Sequence, residues 1–353
     1  MIAAMPLLYS SAMNWSRYRH LFRIDSVTGI RTVIARMMFA VGVPLLGGVL
    51  LGHPVAGVAG GSTALFVTMS DIGETRRVRM GTMLAGWLAF LGGGTLGHLL
   101  GGTPNANEAV VLISALVAGW ASGAHPGIAA VTRFFAVATA AATGIPISDP
   151  DILTGMMVGG TTAFAAALAA WKWSGLPRAD NAMDWRAGVQ RAFSGADAGM
   201  RYTFCYGAAA ATALFAASML GVSDANWATL VVLMVMRREG TVSFELTIQY
   251  AAGTLLGVLV AGVLLRWVEP ALALALLATL STAFARVGFA VNPTFGYMAF
   301  TMYLLFVVQL IESSAGIVPH LLGTRMYDVG VGCLLAMAGT LAATYPRVAA
   351  KGN

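Results

Sequence analysis

The chain has 353 residues, of which 58% are hydrophobic and only 10% charged, with 42 glycines and a net charge of +6. A water-soluble domain carries about 25% charged residues, so the side chains that would coat a soluble enzyme or binding module are missing. Twelve membrane spans of about 20 residues would use roughly 240 residues, leaving short loops and one modest linker.

Taken in order, residues 1–31 open with a mildly apolar stretch that lacks a basic start and a small-x-small cleavage site, so no cleaved signal peptide is expected. Arg17, Arg19 and Arg23 mark this segment as a basic cytoplasmic arm. Glycine, proline and charge then divide 32–171 into spans at 32–51, 54–70, 81–101, 107–123, 127–145 and 152–171. A linker at 172–200 carries Trp173, Pro177, Trp185 and Arg186 and reads as a connector on the inner leaflet. Six more spans follow within 201–345, at 201–221, 225–236, 249–267, 270–285, 291–311 and 318–344, and 346–353 form a tail. The fold class is therefore an all-α membrane protein of about 12 transmembrane helices.

The second set of spans rereads the first. Arg31 is matched by Arg201, Leu51-Gly52 by Leu220-Gly221, Gly81-Thr82 by Gly253-Thr254 and Pro126 by Pro293, at shifts of 167–172. Both second helices are short or glycine-interrupted, at 54–70 and 225–236. Broken helices at matching places in two repeats are the sequence mark of a secondary transporter's binding site. With the N-terminus inside, 17 of the 21 lysines and arginines fall on the cytoplasmic side, as the positive-inside rule expects. Six spans per half give both halves one orientation, so the repeats are expected to be parallel. The positive charge is then a topogenic and headgroup signal, with no nucleic acid as partner.

Several motifs carry a resemblance. The second half reads Gly221-Val-Ser-Asp-Ala-Asn226-Trp227, then Arg237-Arg238, then Gly253-Thr254-Leu-Leu-Gly257, and closes on Gly323-Thr324-Arg325-Met-Tyr-Asp328-Val-Gly330. This resembles the fusaric acid resistance protein family, also called the aromatic acid exporter family, most clearly from 200 to 345. The resemblance implies a bacterial inner-membrane efflux permease for aromatic carboxylic acids or related amphiphilic anions, with a periplasmic adaptor as partner. The chain departs from the family in its short linker, in Gly57-Val58 where the second half has Asn226-Trp227, and in Gln249-Tyr250 before Gly253.

Ionisable groups inside a membrane are costly, so each can be weighed. Arg325 and Asp328 share a face at i and i+3. They offer a guanidinium fork and a proton-exchanging carboxylate to a substrate, or else a structural bridge. Arg133, beside Phe134, has no local carboxylate; it could hold an acid group next to an aromatic slot or snorkel to the headgroups. Arg36 is expected to snorkel. Asn226 and Trp227 open the short eighth helix, as interface anchors or as binding residues. Arg76, Arg77, Arg79, Arg237 and Arg238 form a basic cluster at the inner mouth that attracts anions or merely fixes topology. Glycines at 92, 93, 94, 97, 253 and 257 are expected to pack helices closely.

No nucleotide loop, metal-ligand spacing or cofactor motif is present, so an enzyme is not expected and energy would come from a proton gradient. The leading reading is a proton-driven exporter alternating between its halves. An anion channel of related architecture and a non-transporting membrane assembly partner are the alternatives, and a homo-oligomer stays open.

Overall fold

The computed structural model describes residues 30–349 except 74, 102, 125, 144–149, 175–186, 188–189, 191–192, 195–198, 220–225 and 316–320. The expected basic arm, most of the linker and the end of the tail lie outside the described residues. Among those described, all regular structure is helical. The twelve helices are α1 (Ile30–Leu50), α2 (Pro54–Met69), α3 (Arg76–Leu100), α4 (Pro104–Ala121), α5 (Pro126–Ala142), α6 (Pro150–Ser174), α7 (Met200–Met219), α8 (Asn226–Val235), α9 (Gly240–Leu265), α10 (Ala271–Val291), α11 (Pro293–Ala315) and α12 (Leu321–Ala349).

Five of these helices begin on a proline, where the missing N–H costs nothing and φ is already helical. Thr75, Thr103 and Asn292 supply N-terminal caps, each accepting from a backbone N–H two or three residues on. Seven helices are long and apolar enough to cross a bilayer, while α2, α5 and α8 and the apolar part of α4 are only 10–17 residues long. Large apolar side chains such as Leu84, Leu88, Leu255, Leu259 and Leu276 are exposed on the outside of the bundle, an exterior suited to lipid.

The helix starts differ from expectation in an instructive way. Helix α3 begins at Arg76 and α9 at Gly240, five and nine residues before the predicted apolar runs. Hydropathy marks where hydrocarbon begins; the helix itself continues into the polar zone. Helix α10 likewise runs on to Val291 and takes Arg286 into the helix, because no breaker occurs before Asn292-Pro293.

Packing is set by glycine. In α6, a Cβ on Gly159 would lie 2.0 Å from the Gly60 carbonyl oxygen of α2, and one on Gly155 2.1 Å from that of Ala56. Gly93 and Gly97 of α3 meet the carbonyls of Phe135 and Thr139 on α5, and Gly253 and Gly257 of α9 meet those of Thr294 and Met298 on α11. These are backbone-to-backbone seams of the kind that replace the hydrophobic effect in lipid. By contrast Gly81 has open space around it, so its sequence match to Gly253 is not a packing equivalence.

The helices gather into two bodies that do not coincide with the two halves of the chain. Helices α1, α2 and α6 pack together and, through α1 against α10, join α9, α10 and α11. Helices α7, α8 and α12 pack together and, through α4 against α7, join α3, α4 and α5. Each body therefore takes three helices from each half, which corrects the expectation that each six-helix half forms its own unit. Arg36 near the start of α1 meets Asp71 just past the end of α2, and Tyr202 near the start of α7 meets Met236 just past α8, so odd- and even-numbered helices run in opposite directions.

A Gly159→Ala substitution is expected to cost about 1–3 kcal/mol of overpacking, whereas Gly92→Ala, where nothing lies within 4 Å, is expected to be neutral or slightly stabilising. Thermal unfolding of the two variants in detergent checks this, with a Tm fall of several degrees expected for the first alone.

Candidate functional site

Between the two bodies lies a cavity of about 240 Å³. One body contributes Val58, Ser62 and Phe66 of α2, Met156 of α6, Tyr250 of α9 and Phe300 and Leu304 of α11. The other contributes Phe90 of α3, Val137 and Ala141 of α5, and Trp227, Leu230 and Met234 of α8. An apolar cavity of about 150 Å³ holds benzene, so this chamber has room for a substituted aromatic ring. Its walls are themselves aromatic: Phe66 stacks on Phe90 with centroids 4.9 Å apart, and Phe134 backs Phe66 at 5.1 Å. A hydrogen bond of 2.8 Å joins the Ser62 and Tyr303 hydroxyls across α2 and α11.

Helix α8 explains why polar groups gather at one end of this chamber. Its ten residues span about 15 Å, half the hydrocarbon core, and its last carbonyls have no helical partner. The Tyr206 hydroxyl donates to the Leu233 carbonyl at 2.8 Å, and the Tyr202 hydroxyl donates to the Met236 carbonyl at 3.2 Å. Arg237 donates to the same Met236 carbonyl at 2.9 Å. Arg133 of α5 lies close enough to Tyr206 for its charge to act on it, and its charge and that of Arg237 act on each other and on Tyr297. The tyrosine pair Tyr202–Tyr206 stacks at 5.6 Å, and Tyr297 packs on the cavity residue Tyr250 at 4.7 Å.

Arg133, Val137 and Ala141 recur at i, i+4 and i+8 on α5, a spacing that keeps them on one helix face. Arg237 stands two residues past the end of α8, whose Trp227, Leu230 and Met234 line the chamber. The chamber is thus apolar in its middle and cationic one turn further, at the end where α8 stops. Trp227 and Asn226 stand at the opposite end, where Thr143 donates to the Asn226 side-chain oxygen at 3.2 Å.

At the end of α2, the first-half counterpart, the chemistry differs. Asp71 is 4% exposed and pairs with Arg36; Arg79 lies 3.7 Å away and also donates to the Gly73 carbonyl at 2.7 Å. Arg286 of α10 acts on Arg36, Asp71 and Arg79. Arg36 therefore makes a buried ion pair and does not snorkel, because Asp71 is brought to it by the break after α2.

The sequence candidates are distributed as follows. Trp227 lines the chamber and Phe134 supports its wall, while Arg133 and Arg237 lie beyond its lining. Arg79 belongs to the Asp71 cluster. Arg76 lies over the Trp171 ring at 5.6 Å, tying α3 to α6, and Arg77 is exposed; the basic residues are thus not one cluster at a mouth. Arg238 is half-buried beside Arg237. Asp328 is 1% exposed on α12, and Arg325 lies on the same helix with its side chain outside the described part. Sequence reasoning missed Tyr202, Tyr206 and Ser62 as polar partners inside the bundle. The signal for one of them was available: at the repeat shift of 170, Tyr206 occupies the place of Arg36.

A bundle of twelve helices among the described residues, seven of them long and apolar enough to cross a bilayer, defines a multi-pass α-helical membrane protein. Residues 211–339 match the family described as fusaric acid resistance protein-like, the family that the motifs from Asn226 to Gly330 resemble. No curated protein and no solved structure matches the chain.

Replacing Arg36 by alanine leaves Asp71 buried with only the more distant Arg79. Loss of one partner of a buried pair costs about 3–5 kcal/mol, so Arg36→Ala is expected to unfold at a much lower temperature. The double variant Arg36→Met/Asp71→Met is expected to recover most of that loss in the same melt.

Proposed function

We propose that the protein is a secondary efflux permease of a bacterial inner membrane, carrying aromatic carboxylic acids or related amphiphilic anions outward at the expense of the proton gradient. The observation that carries this reading is the aromatic-walled chamber between two helix bodies, with Arg133 one turn beyond its α5 wall and Arg237 just past the end of its α8 wall. An aromatic ring is stabilised in the apolar middle, by about 25 cal/mol per Å² of surface removed from water. Its acid group is met by guanidinium donors in a medium where charge-assisted hydrogen bonds are strong.

The twelve helices are read as two parallel six-helix repeats. The recurrence of packing pairs supports this: α1 on α2, α6 and α10 answers α7 on α8, α12 and α4, and α3 on α5 answers α9 on α11. The end carrying Arg36, Arg79, Arg133, Arg237 and Arg286 is assigned to the cytoplasm, because cationic residues are retained there, and both chain termini are assigned to the same side. The opposite end carries Asp151, paired with His53 at 2.8 Å, and Glu269 beyond α9. Alternating access then takes the form of one helix body rocking against the other around the chamber.

Proteoliposomes test the reading. With a proton gradient imposed, vesicles holding the protein are expected to accumulate benzoate-class acids to a saturating level, and Ala138→Trp, which fills the chamber, is expected to abolish this at least tenfold. Steady, non-saturating flux without a gradient would instead identify an anion channel, and blank vesicles an assembly role.

A further inference from the structure

The ends of the two broken helices carry opposite charges at equivalent places. Two residues past the end of α2 stands Asp71, and two residues past the end of α8 stands Arg237. Asp71 is enclosed by Arg36 of α1, Arg79 of α3 and Arg286 of α10, so that end holds its own carboxylate among guanidinium groups. At the α8 end the repeat equivalents are altered together. Tyr206 stands for Arg36 at a shift of 170, and Gly119, packed on the Tyr206 ring, stands for Arg286 at the shift of 167 that relates Pro126 to Pro293. Arg133 stands for Phe300 at the same shift.

The result is two cations whose charges act on each other. Among the described residues no carboxylate pairs with Arg133 or Arg237, and their neighbours are the neutral phenols of Tyr202, Tyr206 and Tyr297. The Arg133 Nε is buried and has no hydrogen-bond partner among the described residues. Two guanidinium groups held near each other at half-buried sites repel, and an oxyanion between them converts that repulsion into attraction. Tyr206 cannot serve as that anion; its hydroxyl proton is committed to the Leu233 carbonyl.

We propose that Arg133 and Arg237 form a single oxyanion site that takes the carboxylate of an aromatic acid, in the role that Asp71 plays internally at the other broken helix. Because the Asp71 cluster is already filled by the chain's own carboxylate, the protein binds one acid per chain despite its duplication. The inference rests on the chamber reading above for the ring, and on the arginine pair alone for the anion.

Isothermal titration of the full chain in detergent tests it, using benzoate and its neutral isostere benzamide. Wild type is expected to bind benzoate at one site per chain, and benzamide at least tenfold more weakly. Arg133→Gln and Arg237→Gln are each expected to weaken benzoate roughly 10–100-fold, the weight of a charge-assisted hydrogen bond, and to leave benzamide unchanged. Arg266→Gln removes an exposed charge at the opposite end and controls for net charge. Arg237→Lys keeps the charge but loses the fork, so it covers a glutamine variant that does not fold and is expected to weaken benzoate several-fold. The site is overturned if wild type binds no benzoate, if benzamide binds as tightly, if two acids bind per chain, or if the arginine variants bind like wild type. Arginine-dependent binding without flux in vesicles would overturn the exporter reading and keep the site; flux with arginine-independent binding would do the reverse.

Discussion

A helix that stops inside a bilayer leaves carbonyls that water cannot reach, and the rest of this molecule is arranged around that problem. Helix α8 ends at Val235 after ten residues, and each unsatisfied backbone group in hydrocarbon costs several kcal/mol. Donors must come from the protein, so Tyr202 and Tyr206 are drawn in from α7 and Arg237 folds back on the Met236 carbonyl. Once polar groups are concentrated there, a second arginine, Arg133, can be held at a depth where it would otherwise be expelled. The cationic end of the chamber is thus a by-product of closing a broken helix.

The first half solves the same problem by other means. The carbonyls at the end of α2 are met by the backbone N–H and hydroxyl of Ser70, which both donate to Phe66, and Asp71 then recruits arginines. One end becomes an internal ion-pair cluster and the other a tyrosine-lined cationic pocket. The two short helices, one in each half of the chain, end beside side chains of opposite charge, Asp71 and Arg237.

Much of the architecture was legible in the sequence because bilayers enforce simple rules. The brevity of 225–236 and the close packing of Gly93, Gly97, Gly253 and Gly257 appear as read, whereas Gly92, expected to pack with them, meets open space. The chamber's chemistry was less legible. Arg36 looked like a surface-seeking side chain because its partner lies 35 positions away, and only the chain reversal after α2 brings Asp71 to it. Phe66, Phe90 and Tyr250 have no local signature that separates a cavity wall from ordinary packing. The helix exchange between halves is likewise invisible in any window of sequence, because it depends on which long faces meet.

That exchange has a consequence for how the protein can be made. Because α3, α4 and α5 seat against α7, α8 and α12, and α9, α10 and α11 against α1, α2 and α6, neither half has a complete set of neighbours alone. A chain cut within the 172–200 linker would yield two fragments whose contact faces, α1 on α10 and α4 on α7 above all, are mutually complementary. Each fragment would be an orphan until the other arrived, and biogenesis then waits on the last helix to enter the membrane.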